Sequence, residues 1–138
     1  MCQFKKKGFF GDLLKREEEN TAAAPEYFKA EMFWKECLKL RSDLEHAVYR
    51  VFIQKRVEEL YPKGTDESYS AQIALKKAKS AFLDALKAYN EKREAAISHW
   101  EENEEKIITG KKAVRDSRLG DPHDLATGDI VVEFAVRI

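Results

Sequence analysis

Three histidines, two cysteines and many carboxylates are the residues of this chain equipped for acid–base, nucleophilic or metal chemistry. His46 follows Asp43 by one helical turn, which would set a carboxylate and an imidazole on one helix face. A carboxylate-bridged two-metal site in a helical bundle needs two Glu-x-x-His pairs and further glutamates. His99 has Ala96 in the matching position, so the second pair is missing. The segment GDPHDLATGD brings Asp121, His123, Asp124 and Asp129 together. Those types suit a cation, but aspartate beside Gly, Pro and Thr is also ordinary turn chemistry. The expectation is no metal site and no cofactor.

Nucleophilic catalysis finds no better footing. Cys37 falls on an apolar helical seam, where cysteine behaves as a small hydrophobe. Cys2 stands near the N-terminus, and two cysteines so placed are no disulfide framework. There is no glycine-rich phosphate loop, no nucleophile elbow and no zinc-ligand spacing. Glu101, Glu102, Glu104 and Glu105 read as a solvated acidic helix end. No catalytic residue is assigned, and a non-enzymatic role is expected.

The elements that would carry these side chains are mostly helical. Pro25 suits a first helical turn, where its missing N–H costs nothing, and Glu26 favours the positive end of the helix dipole. The helix is expected to run over about 25–61, some 55 Å, and to stop at Pro62-Lys63-Gly64. Phe33, Cys37, Leu40, Leu44, Ala47 and Val51 form a seam of alternating four- and three-residue steps. A second helix is expected over about 66–109, capped by Thr65 or Asp66 and stopped by Gly110 in the left-handed region. Its seam reads Ala71, Leu75, Ala78, Phe82, Ala85 or Leu86, Tyr89, Ala96 or Ile97, Trp100 and Ile107. So short a connection makes the helices antiparallel neighbours. The register sets Tyr27 by Trp100, Trp34 by Arg93 and Leu44 by Leu83.

The fold class expected is therefore mainly α: a long antiparallel two-helix hairpin over 25–110, able to pair into a four-helix bundle. Residues 1–24 form an aromatic and basic segment expected to pack on the open end of the hairpin. Residues 111–138 form a loop and then a strand at about 129–138. In that strand Ile130, Val132, Phe134, Val136 and Ile138 alternate with Val131, Glu133, Ala135 and Arg137. A lone strand leaves backbone groups open, so it is expected to pair with residues 2–5, with its own copy or with a foreign sheet. The two-helix plan resembles prefoldin-type chaperones and small secreted bacterial hairpins in outline. The strands between helices of the first and the Trp-x-Gly turn of the second are absent here, so neither resemblance carries a residue across.

Composition narrows the partners. Lys plus Arg equals Asp plus Glu at 25 each, hydrophobic residues are 43% and charged residues 36%. That suits long helices with a wide solvated face. A nucleic-acid binder normally shows a basic block. Here the basic residues gather only in Lys5, Lys6 and Lys7, and in Lys111, Lys112, Arg115 and Arg118. Nucleic-acid association through these runs is the alternative reading, and nucleic acid is not the favoured partner. Peripheral membrane contact through Phe4–Phe10 is a further possibility, disfavoured against packing on the hairpin. No apolar run spans a bilayer, and the first fifteen residues lack the apolar core of a secretory signal, so a soluble intracellular protein is expected.

The function expected is that of a structural or interaction protein: an accessory subunit, scaffold or adaptor, binding a protein partner or its own copy. The protein-binding residues expected are Ile130, Val132, Phe134, Val136 and Ile138 of the strand, with Trp34 and Trp100. A virus-encoded inhibitor of a host protein would present the same features.

Overall fold

The computed structural model describes residues 24–126. Residues 1–23 and the strand expected at 129–138 lie outside that range. Helix α1 spans Pro25–Glu59, α2 spans Asp66–Glu102 and α3 spans Glu104–Ala113, followed by one 3-10 turn at Pro122–Asp124. The described residues are mainly helical, and α1 and α2 pack as a helical hairpin.

Leu60 and Tyr61, expected in the first helix, instead close it in a tightened turn. Their N–H groups donate to Val57 O at 3.1 Å and Glu58 O at 3.4 Å. Gly64, at φ +88°, supplies the left-handed residue that lets the chain reverse. Thr65 then caps α2: its Oγ1 accepts the Ser68 N–H at 3.2 Å while its O–H donates to Pro62 O at 2.8 Å.

The chain divides into two compact units. One consists of Lys35–Glu94 together with Leu125 and Ala126. Its core holds Leu44, Val51, Leu75, Phe82, Leu86 and Tyr89, with Leu40, Ala47, Val48, Ala78 and Ala85 packed against it. Cys37, Leu44 and Val51 are seven residues apart and all buried, as one face of α1 requires. An ion pair at 2.8 Å between Glu36 and Lys92 marks the antiparallel register. The expected pairing of Leu44 with Leu83 is corrected. Leu83 is 57% exposed, and its neighbours Phe82 and Leu86 share the core with Leu44. One residue is 100° of helix rotation, enough to move a side chain from core to solvent.

The other unit comprises residues 24–34 and Ala95–Asp124. Its core holds Tyr27, Ala30, Trp100, Ile107 and Leu119, with Trp34 and Val114 against it. Tyr27 and Trp100 share this cluster, as the register expected.

The helix expected to reach Thr109 breaks at Asn103, whose φ of −130° and ψ of 24° are not helical. Its side-chain amide donates back to His99 O at 3.1 Å, while its N–H is shared between His99 O and Trp100 O. Such side-chain competition with the backbone bends a helix. Gly110 is also corrected: it does not stop the helix but lies buried inside α3. A Cβ there would fall 2.6 Å from Tyr27 Cβ, so the glycine is needed for close approach. The left-handed residue comes later, at Asp116 with φ 60°.

Candidate functional site

Each histidine can be judged by where its two nitrogens go. His99 is buried, and its Nε2–H donates to the Glu26 carbonyl at 2.8 Å. Its Nδ1 then accepts the Asn103 amide at 3.3 Å, a tautomer assigned from these partners. With Phe33 tilted against the ring at 5.5 Å between centroids, His99 ties the start of α1 to the break before α3. No nitrogen is left for a metal.

His46 donates from Nδ1 to Ser42 O at 2.9 Å on the exposed side of α1. Asp43 lies nearby, but the pair gains no further metal ligand. Among the described residues no three His, Cys, Asp or Glu side chains converge on a possible ion site.

His123 sits between two carboxylates. Nδ1 lies 2.6 Å from Asp121 Oδ1 and Nε2 lies 3.0 Å from Glu101 Oε1. Both oxygens are acceptors, so the arrangement favours the doubly protonated ring. Its pKa is raised, chiefly by the hydrogen bond to Glu101 and next by that to Asp121. An Asp–His pair resembles part of a catalytic triad, but here the outer nitrogen is taken by Glu101 and the ring cannot act as a base. It fastens the 3-10 turn to the end of α2. This bond joins the acidic end of α2 to the turn segment, two features the sequence reading treated separately.

The cysteine described, Cys37, is fully buried, and burial pushes its thiol pKa up. A neutral, enclosed thiol is a poor nucleophile. Tyr27 is 0% exposed, and burial raises its phenol in the same way. The phenol donates to Glu31 at 3.1 Å and accepts from Ser117 at 2.5 Å. Tyr89 donates to Ala126 O at 2.6 Å and Arg93 Nε to Leu125 O at 3.1 Å, holding the last described residues in place. The Trp34 ring lies against Gly120, where an added Cβ would overlap it.

These placements leave the expected protein-binding tryptophans committed to the chain's own packing. Trp100 is buried and Trp34 is half-buried on Gly120. Lys111, Lys112, Arg115 and Arg118 are exposed, but Glu101, Glu102, Glu104 and Glu105 are exposed on the preceding turns. The strand residues Ile130 to Ile138 and Lys5 to Lys7 lie outside the described residues.

Sequence reading missed a different surface. Asp43, His46, Ala47 and Arg50 of α1 and Ala81 and Ala85 of α2 line an open concavity on one side of the hairpin. Its floor continues a row of small residues in which Ala71, Ala74, Ala78, Ala81, Ala85 and Ala88 recur in steps of three and four. Ala71, Ala78 and Ala85 of this row belong to the hairpin seam, whereas Ala74, Ala81 and Ala88 extend it toward the concavity. No described helix is long and apolar enough to cross a membrane. Comparison of the chain with protein-family models, curated proteins and solved structures gives no match.

Proposed function

We propose that this chain is a non-catalytic structural or interaction protein, a subunit, scaffold or adaptor that works by presenting helical surface to a protein. One observation carries the reading. Met32, Tyr49, Leu60, Tyr69, Ile73 and Leu83 are each more than half exposed, from 57% to 77%. These side chains leave apolar surface in water that a partner could bury. The chemistry of the site residues agrees: His99, His123 and Cys37 are all engaged in holding the fold together. Ile130, Val132, Phe134, Val136 and Ile138 supply a second, strand-like contact segment in this reading.

Photo-crosslinking tests it. A photoreactive amino acid at Tyr69, Ile73 or Phe134 of the full chain in its native cells should yield adducts of discrete mass. Absence of adducts at all three positions, together with a solution mass of one 16.0 kDa chain, would overturn the reading. The nucleic-acid reading predicts binding that weakens steeply with salt, and absence of binding at low salt would end it.

A further inference from the structure

Asp43 and Arg50, which line the concavity, and Lys77 and Asp84, which flank Ala81 on the exposed side of α2, carry charge in a pattern that complements itself. Asp43 and Arg50 are seven residues apart, hence on one side of α1, and both are exposed. On α2 Lys77 and Asp84 have the same spacing, again with opposite signs and exposed. None of these four makes an ion pair within the described chain. The midpoint of the first pair lies between His46 and Ala47, and that of the second between Ser80 and Ala81. The register marked by Glu36 and Lys92 puts these two midpoints level to within about one residue, or ~1.5 Å along the helix.

We propose that a second copy of this chain covers this face. The copies stack about a two-fold axis that lies over this face, perpendicular to both helices and level with the two midpoints. Each helix then lies antiparallel to its counterpart, as an isologous interface requires. Asp43 of one copy meets Arg50 of the other, and Arg50 meets Asp43. Along α2 Lys77 and Asp84 pair across the interface in the same way. One axis satisfies all four contacts, whereas a foreign helix would need a matching charge pattern of its own. Ala47 and Ala81 lie between the charges and Ala74 and Ala88 flank them, small side chains that let helix axes approach to the short end of about 8–10 Å. The result is a four-helix bundle whose outer columns carry the pairing code. This rests on the reading of the chain as an interaction protein and adds a face of its own, whose lining includes none of the six exposed hydrophobic residues above, with a second copy as its occupant.

Charge reversal in the full chain, followed by sedimentation equilibrium, tests the geometry. Arg50→Asp sets two aspartates against each other at each contact, and Asp43→Arg sets two arginines. Each variant should stay helical by circular dichroism and dimerise roughly tenfold more weakly or worse. An equimolar mixture of the two variants should recover wild-type association, because every contact between unlike chains is again attractive. If one of these variants does not fold, Lys77→Asp and Asp84→Lys apply the same logic on α2. Wild-type association of the single variants, or failure of the mixture to recover it, overturns the face. A wild-type chain that stays monomeric at several hundred micromolar overturns the second copy as occupant. The crosslinking experiment would then still decide the interaction reading, through adducts with a different protein.

Discussion

Replacing Gly110 by alanine separates two forces of opposite sign. Helix propensity alone makes alanine better than glycine in a helix interior by about 1 kcal/mol. Gly110 lies within α3, so an uncrowded site would gain that amount. The structure puts Tyr27 in the way: the new Cβ would sit 2.6 Å from Tyr27 Cβ and 2.7 Å from its Cγ. Those atoms are next to the α1 backbone and cannot swing aside as a side-chain tip can. Relief requires α1 and α3 to move apart by roughly 1 Å, and overpacking of this kind costs about 1–3 kcal/mol. The shift also strains the 2.5 Å contact of the Tyr27 phenol with Ser117, a bond worth roughly 1 kcal/mol. Packing wins, and Gly110→Ala should destabilise by about 1–2 kcal/mol after the propensity gain. Urea unfolding followed by far-UV circular dichroism measures this, with Thr109→Ala as the exposed neighbour expected to be neutral or stabilising. A Gly110→Ala chain more stable than wild type would refute the placement of Tyr27 on α3.

The other predictions concern the turn, the imidazole and the thiol. Gly64→Ala has open space around it but a φ of +88°, so it should cost about 1 kcal/mol from backbone conformation alone, read as a lower urea midpoint. The raised pKa of His123 means that its contacts with Glu101 and Asp121 are fully present below the ordinary value of 6.5 and fade as pH rises through the folded value. The His123 ring should titrate above 6.5 by NMR, and Glu101→Gln should move that midpoint down; a midpoint at or below 6.5 in the wild type would contradict the clamp. Cys37, buried with a raised pKa, should react with a thiol reagent at neutral pH only as fast as the unit opens. Labelling at the rate of a free thiol would show the seam to be open.

Periodicity made the long elements legible. Cys37, Leu44 and Val51 recur every seven residues, and so do Leu75, Phe82 and Tyr89; each of these six is buried. The start of α1 at Pro25 and the Thr65 cap follow from residue types with one strong local preference each. What resisted reading depends on partners distant in sequence. Asn103 breaks a helix because His99 and its carbonyl lie one turn back to receive the amide. Gly110 looks like a stop signal, and only the arrival of Tyr27 from the other helix shows that its lack of a side chain is used for packing. Trp34 and Trp100 suggested a docking patch because aromatic residues dominate interfaces as well as cores. Their rings were accounted for only once Gly120 and Leu119 came into place. Ala71, Ala78 and Ala85 lie on the seam beside Leu75, Phe82 and Leu86, as their spacing implies. Ala74, Ala81 and Ala88, which the seam does not use, are left for a second face.

The solution mass of the full chain, taken from micromolar to several hundred micromolar, tests the central claim most directly. Association through the alanine face predicts a mass rising to twice 16.0 kDa, with Arg50→Asp shifting the transition to higher concentration. A mass of one chain across the whole range, or a dimer indifferent to Arg50→Asp and Asp43→Arg, would contradict it.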